Sequence, residues 1–267
     1  MRKLESVGLK DVQAVYGGAE GDLWKLVMGE QIHIGGLTSS MDLAERAGVG
    51  EGMSGVDLCC CVGAGMRFLT RFRKVRRMTG VDATPKMIEQ GCEACAAEGL
   101  GERIEFVLAD VCATGLPAGG ADFVWGEDAW CYVVDKAALI NEASRIVRSG
   151  GVIAFTDWVE GPAGMTDAQT ERFMRFMKFP SLMDIPGYAS LLKSAGCTVL
   201  AAEDTRRFPS HIDLYLNMLN MQLTYDALRI IGFDMELMRA MGEEMRFMQE
   251  LAHEGRIAQG IFIARKD

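Results

Sequence analysis

What most constrains this chain is an alternation along its sequence: short apolar runs, several ending in an acidic residue, separated by longer amphipathic segments. Residues 55–59 (GVDLC), 78–82 (MTGVD), 104–108 (IEFVL), 121–125 (ADFVW) and 152–156 (VIAFT) read as buried strands. Gly65–Arg76, Thr84–Glu98 and Lys136–Val147 read as helices between them. Apolar runs alternating with amphipathic helices specify a parallel sheet with crossover helices, because parallel strands are buried on both faces and need helices to cover them. Pro85 suits a first helical turn, where its missing N–H costs nothing. Arg148-Ser149-Gly150-Gly151 reads as a helix end turning into the next strand. The expected class is α/β and doubly wound.

The alternation continues with Tyr188–Ala195, Gly196 and CTVLAAED (197–204), and IAQGIFIAR at 257–265 reads as a last strand. Between them, Ile212, Leu216, Leu219 and Leu223, then Met235, Met238, Met241, Met245 and Met248, recur at helical spacing. Eleven of the 18 methionines follow residue 160. Unbranched, polarizable side chains suit either an adaptable lid or gap-filling between packed helices, and gap-filling is the expectation. No linker composition appears. The expected organisation is one domain, with a cover at 1–50, a core at 51–205, a helical cap at 206–256 and the last strand at 257–267.

Charge and cysteine usage narrow the partners. Lys+Arg 28 against Asp+Glu 37 leaves −9, which repels phosphate backbones and anionic lipid, so neither nucleic acid nor membrane is an expected partner. No run approaches the roughly 18 apolar residues of a membrane span, and MRKLESVGLKDVQAVYGG has no apolar leader core. A cytoplasmic chain with reduced thiols is expected. Among eight cysteines, the consecutive Cys59, Cys60 and Cys61 cannot converge on one metal from a strand, whose neighbouring side chains face opposite ways. Cys92 and Cys95 have CxxC spacing without a second pair at zinc-site distance, so no metal site is expected.

Ligands of open α/β sheets bind at the carboxyl ends of the strands. Here those ends read Val56-Asp57-Leu58-Cys59-Cys60-Cys61-Val62-Gly63-Ala64-Gly65, Gly80-Val81-Asp82-Ala83, Ala109-Asp110-Val111 and Gly126-Glu127-Asp128. Any one of these acids is most simply a helix cap. Four acidic strand ends in one crevice suit a ligand with ribose hydroxyls, an exocyclic amine and an ammonium-bearing tail. A pyrophosphate dinucleotide fits badly, and GxGxxG is absent.

These residues, within VDLCCCVGAG, GVDATPKMIEQG, IEFVLADV, ADFVWGEDAWCYV and RIVRSGGVIAFTDW, resemble the class I S-adenosylmethionine-dependent methyltransferases over roughly residues 50–205. Tyr16 and Met28–Gly36 resemble the cofactor-covering segment of the branch that holds the phosphoethanolamine and glycine/sarcosine/dimethylglycine N-methyltransferases. The resemblance implies a Rossmann-like seven-stranded sheet with an antiparallel last strand, an N-terminal helical cover and a helical insertion before that strand. It implies S-adenosyl-L-methionine as cofactor and S-adenosyl-L-homocysteine as product. Asp82 would hold the ribose hydroxyls, Asp110 and Val111 the adenine, and Glu127 and Asp128 the methionine end. Ile32 and His33 would close over the cofactor, with Asp57, Cys59, Gly63 and Ala83 completing its site.

Two positions depart from the family. Cys59 and Cys61 stand where it has glycine, with Gly63 and Gly65 kept; a side chain there narrows the pocket or costs about 1–2 kcal/mol of backbone strain. Cysteine is small and content when buried, so cofactor binding is expected to survive. Tyr132 stands where the N-methyltransferase branch has a histidine paired with the N-terminal tyrosine. A Tyr16–Tyr132 pair can hydrogen-bond but is no imidazole base near neutral pH.

Methyl transfer is an in-line displacement that needs alignment and exclusion of water. Tyr16, Asp128 and Tyr132 are the catalytic candidates. His33 or His211 could serve as a base, although His211 is more simply a residue of a helix start. Trp130 and Trp158 could pack against a cationic methyl or an apolar body, or fill the core. The expected function is N-methylation of a small amine; the alternatives are C- or O-methylation of a hydrophobic ring or quinone-like acceptor, and cofactor binding without transfer.

Overall fold

The structure is a computed structural model that describes residues 1–267. Strand β1 (Arg2–Lys3) and helices α1 (Leu9–Gly17), α2 (Ala19–Met28) and α3 (Gly36–Arg46) come first. The alternation follows as β2 (Ser54–Leu58), α4 (Ala64–Phe72), β3 (Arg77–Asp82), α5 (Pro85–Ala97), β4 (Ile104–Leu108), β5 (Ala121–Glu127), α6 (Lys136–Ile146) and β6 (Val147–Glu160). Then come α7 (Asp167–Met177), β7 (Ser181–Asp184), α8 (Ile185–Ser194) and β8 (Cys197–Asp204), and last α9 (Phe208–Asn220), α10 (Thr224–Ile230), α11 (Met235–His253) and β9 (Ile257–Lys266). No helix is long and apolar enough to cross a membrane.

Seven strands run in the order β4-β3-β2-β5-β6-β9-β8, with β2 to β6 parallel and β9 antiparallel to both its neighbours. This is the expected doubly wound sheet with an antiparallel last strand. Its apolar strands are buried on both faces because successive side chains alternate. On β5, Phe123 and Trp125 join one core cluster and Val124 the other.

Three details differ from the sequence expectation. Helix α4 stops at Phe72 rather than Arg76, because Lys74 turns through left-handed φ (54°) to feed β3. Arg148–Gly151 is a bulge within β6: Ala121 pairs with Val147 and Phe123 with Val152, and Arg148 Nε donates to Asp122 Oδ1 at 2.8 Å. Helix α7 and strand β7 were not foreseen; β7 pairs with the end of β6 and with β1. The helical cap before β9 divides into three helices, broken at Gly232 and Phe233 (φ 69° and 62°) and restarted by the Asp234 cap. Met245 and Met248 fill the core beside Trp158 and Phe173, whereas Met235 is exposed.

A buried polar network fixes the loop after β5. Lys136, 2% exposed at the start of α6, donates from Nζ to Cys131 O (3.1 Å), Val133 O (2.5 Å) and Ser181 Oγ (2.8 Å). Asp157 on β6 accepts from Cys131 N–H (2.9 Å) and Tyr188 O–H (2.5 Å). Burial pushes the Asp157 carboxyl from 3.8 up to about 6. The folded chain therefore keeps a proton that the unfolded chain releases, so this group's contribution is present at low pH and lost as pH rises from about 4 to about 6, by about 3 kcal/mol. Urea denaturation from pH 4 to 7 should show that decline, flattened in Asp157→Asn; an unchanged slope in the variant would contradict it.

Candidate active site

The parallel strands deliver their carboxyl ends to one edge in register, with Leu58 beside Val81 and Asp82 beside Leu108. A cleft of about 350 Å³ opens there. Asp57, Cys59, Asp82, Ala83, Asp110, Val111, Glu127 and Asp128 line it from the strand ends, and Tyr16, Ile32, His33 and Tyr132 from the cover and the β5 loop. Gly63 lies outside this lining as the residue before α4, at φ 71°. A Cβ there would meet Phe106 Cζ at 2.7 Å and Met66 Cε at 2.9 Å, so its role in the structure is the turn.

The carboxylates are held by backbone and cover. Asp82 accepts the Cys61 N–H at Oδ2 (2.9 Å) and the Thr84 N–H at Oδ1 (2.8 Å), which leaves lone pairs free on both oxygens. Asp110 accepts from Cys112 N–H (2.8 Å) and is exposed. Glu127 accepts from Ser40 Oγ (2.6 Å), with His33 Nε2 3.3 Å away. Burial, then the charges of Glu127 and Asp82, push Asp57 well above the carboxylate range. Burial also raises Asp82, against the backbone N–H groups that lower it. A Cβ on Gly65 would sit 2.8 Å from Glu127 Oε2 and 3.6 Å from both Asp57 Oδ2 and Trp125 Nε1. That indole N–H is buried without a hydrogen-bond partner.

Asp128 ties the cover to the sheet. In left-handed conformation (φ 50°), it accepts the Ile34 N–H (2.8 Å) and the Gln259 amide (2.8 Å), and Gln259 also donates to Ile34 O (3.0 Å). Glu30 pairs with Arg67, which also holds Val62 O in the loop after β2 (2.6 Å). Gln259 was absent from the sequence candidates, yet a polar residue inside the apolar run IAQGIFIAR is the signal that marks it. A second, smaller cavity of about 10 Å³ adjoins the cleft, sharing Tyr16, Ile32, Asp128 and Tyr132 with it and adding Trp24, Met28, Trp158 and Met177.

Residues 56–155 match the family model described as "Methyltransferase domain". That stretch carries a methyltransferase domain, and the fold around it is that of the class I S-adenosylmethionine-dependent methyltransferases. The chain is 26% identical to phosphoethanolamine N-methyltransferase 1 of Arabidopsis thaliana over 65% of this chain and 34% of that one. It is 25% identical to the sterol 24-C-methyltransferase erg6 of Aspergillus fumigatus over 65% of this chain and 47% of that one. The chain thus spans about a third to a half of these curated relatives. Its fold matches that of Haemonchus contortus phosphoethanolamine N-methyltransferase 2 in complex with S-adenosyl-L-methionine, at TM-score 0.82 and 16% identity, over 96% of this chain and 59% of that one.

The methyltransferase loop departs from glycine without departing from glycine geometry. Cys59 and Cys61 have φ of 64° and 49°, the left-handed region that costs most residues about 1–2 kcal/mol. Burial pushes all three thiols up, Cys61 to about 12, so none is a thiolate at neutral pH. Tyr16 and Tyr132 meet edge to face with ring centroids 5.5 Å apart, and burial holds both phenols well above their ordinary range. They are protonated at neutral pH and cannot act as bases. Trp130 belongs to the core: it stacks on Phe155 at 4.0 Å and donates to Leu58 O (3.1 Å). Trp158 lines the small cavity. His211 lies outside both cavities, in the first turns of α9, with Nδ1 2.9 Å from Arg207 O.

The loop geometry makes a test. Cys61→Gly should be more stable than Cys61→Ala by about 1 kcal/mol in urea denaturation, since both lose the thiol and only alanine keeps the strained Cβ. An alanine variant of equal or greater stability would contradict the positive φ.

Proposed function

We propose that this chain binds S-adenosyl-L-methionine in the strand-end cleft and transfers its methyl group to a small-molecule acceptor, by preference the nitrogen of a small amine. The observation that carries this reading is a cleft lined by Asp57, Asp82, Asp110, Glu127 and Asp128 and by no Lys or Arg. Crowded carboxylates, those of Asp57, Asp82 and Asp128 desolvated, call for a ligand of many donors and positive charge. Asp82, with lone pairs left after its backbone bonds, would hold the ribose hydroxyls. Asp110 and Val111 would flank the adenine. Glu127, beside the space left by Gly65, would take the ammonium, with the unpartnered Trp125 N–H as a donor at the same place.

The bound cofactor supplies a methyl group on a positively charged sulfur. The protein's part is alignment and exclusion of water. Glu30, Ile34 and Ser40 fasten the cover through Arg67, Asp128 and Glu127. Tyr16, Asp128 and Tyr132 border both cavities and would face the acceptor. A nitrogen attacking the methyl group gains positive charge, which the Asp128 carboxylate favours. An amine that arrives deprotonated needs no general base, whereas a hydroxyl or carbon acid does. A second reading, C- or O-methylation of an apolar acceptor, draws on the aromatic walls of the inner cavity and on the likeness to a sterol methyltransferase.

Calorimetric titration with S-adenosylmethionine tests the site. Asp82→Ala should weaken binding at least 100-fold, about 2.7 kcal/mol; full affinity in the variant would place the cofactor elsewhere. Transfer of a labelled methyl group into the basic, water-soluble fraction of a cell extract is the expected turnover. Label in apolar products would favour the second reading, and binding without transfer would leave a cofactor-binding protein.

A further inference from the structure

The small cavity points to the acceptor's chemistry. Four aromatic residues border it: Tyr16 and Tyr132, in contact edge to face at 5.5 Å, with Trp24 and Trp158. Asp128 is its only charged side chain. The Asp128 carboxylate is held at Oδ1 by the Gln259 amide (3.1 Å) and at Oδ2 by Gln259 and the Ile34 N–H (both 2.8 Å), with no Lys or Arg paired to it, so its charge is fixed at the cavity wall. Aromatic faces around a carboxylate are the arrangement that attracts alkylated ammonium groups, through the ring quadrupoles and the negative charge together.

The same surroundings are hostile to an anionic acceptor. Neither cavity is lined by Lys or Arg, and the cations nearby have partners. Arg67 is held by Glu30 and Glu98, Lys25 lies 3.6 Å from Glu30, and Lys136 spends its donors on carbonyls and Ser181. A phosphate or carboxylate brought into the cleft would lie among Asp57, Glu127 and Asp128 with no Lys or Arg to neutralise it and with His33 already 3.3 Å from Glu127, a costly way to bury an ion.

Resting on the transferase reading above, we propose that the acceptor is a small secondary or tertiary amine without a phosphate or carboxylate group, its nitrogen seated in the Tyr16–Trp24–Tyr132–Trp158 cage beside Asp128. The substrate class thus departs from that named for the phosphoethanolamine relatives. The free volume of about 10 Å³ is the room of one water, so the amine enters from the larger cleft by displacing Met28 and Met177, the two unbranched, flexible side chains of the wall. Methylation turns a secondary amine into a tertiary ammonium and a tertiary amine into a permanent quaternary cation, inside a cage that favours positive charge, so the methylated product is itself a ligand.

Product-like binding gives the test. The wild-type protein is first titrated with S-adenosylhomocysteine, then, saturated with it, with tetramethylammonium, phosphocholine and choline, and with 3,3-dimethyl-1-butanol, the uncharged isostere of choline, by calorimetry and tryptophan fluorescence. The expected result is binding of tetramethylammonium and choline, at least tenfold weaker binding of the uncharged isostere, and no gain for phosphocholine. Equal binding of the isostere would overturn the cationic cage in favour of an apolar acceptor. Tighter binding of phosphocholine would overturn the exclusion of anions. No binding of any of the four with S-adenosylhomocysteine bound would overturn the cage alone, whereas failure of the first titration would overturn the transferase reading itself.

Discussion

Four parallel strands that end together carry their acidic residues into one crevice, desolvated except at Asp110, and the rest of the site depends on how that charge is accommodated. Burial and mutual repulsion raise Asp57 and burial raises Asp82 and Asp128; left alone, such a cluster opposes folding. Part of the charge is answered by the chain itself, through the N–H groups of Cys61, Thr84 and Ile34, the Ser40 hydroxyl and the Gln259 amide. The cover is held down by the same carboxylates that line the floor. Closure and the strand-end charge are therefore one arrangement, and the proposed cationic, hydroxyl-bearing ligand would complete what the backbone leaves unsatisfied.

A second layer of polar contacts supports the wall opposite the cover. Lys136 and Asp157 grip the turn at Trp130–Tyr132 from both sides, through the carbonyls of Cys131 and Val133 and the N–H of Cys131. Tyr132 is thereby carried on a loop whose backbone is tied to β6, β7 and α8. The covering segment enters and leaves through Gly29 and Gly35, at φ 78° and 89°, values at which a side chain would be strained. A fixed wall facing a cover fastened to the strand ends suits a reaction that needs alignment and dryness more than acid–base chemistry.

Much of this was legible in the sequence. Four of the five apolar runs of the core end within two residues of the strand ends at the site edge, because burial on both faces leaves little choice of register; β6 runs on four residues past Thr156 to Glu160, where it pairs with β7 and β9. Cys59 and Cys61 were marked by the motif around them, and their left-handed φ shows the backbone path kept while the side chain changed. Helix α7 announced itself more quietly, by Thr166 and Gln169 at capping-box spacing, and β7 is a four-residue strand whose pairing is set by tertiary context. Trp24 and Met177 belong to no motif; they meet Tyr132 only after α2 and α7 have packed, and no local pattern encodes that meeting. Trp130 and Trp158, alike in sequence, were separated only by the fold into core and cavity wall.

The central claim is that the row of strand-end carboxylates is a binding surface for one ligand in one orientation. A crystal structure of the protein with S-adenosylhomocysteine tests it most directly. The account predicts the ribose hydroxyls on Asp82, the ammonium group beside Glu127 and Gly65, and the sulfur turned toward the Tyr16–Asp128–Tyr132 wall. Density for the ligand in the reverse orientation, or away from the strand ends, would contradict it.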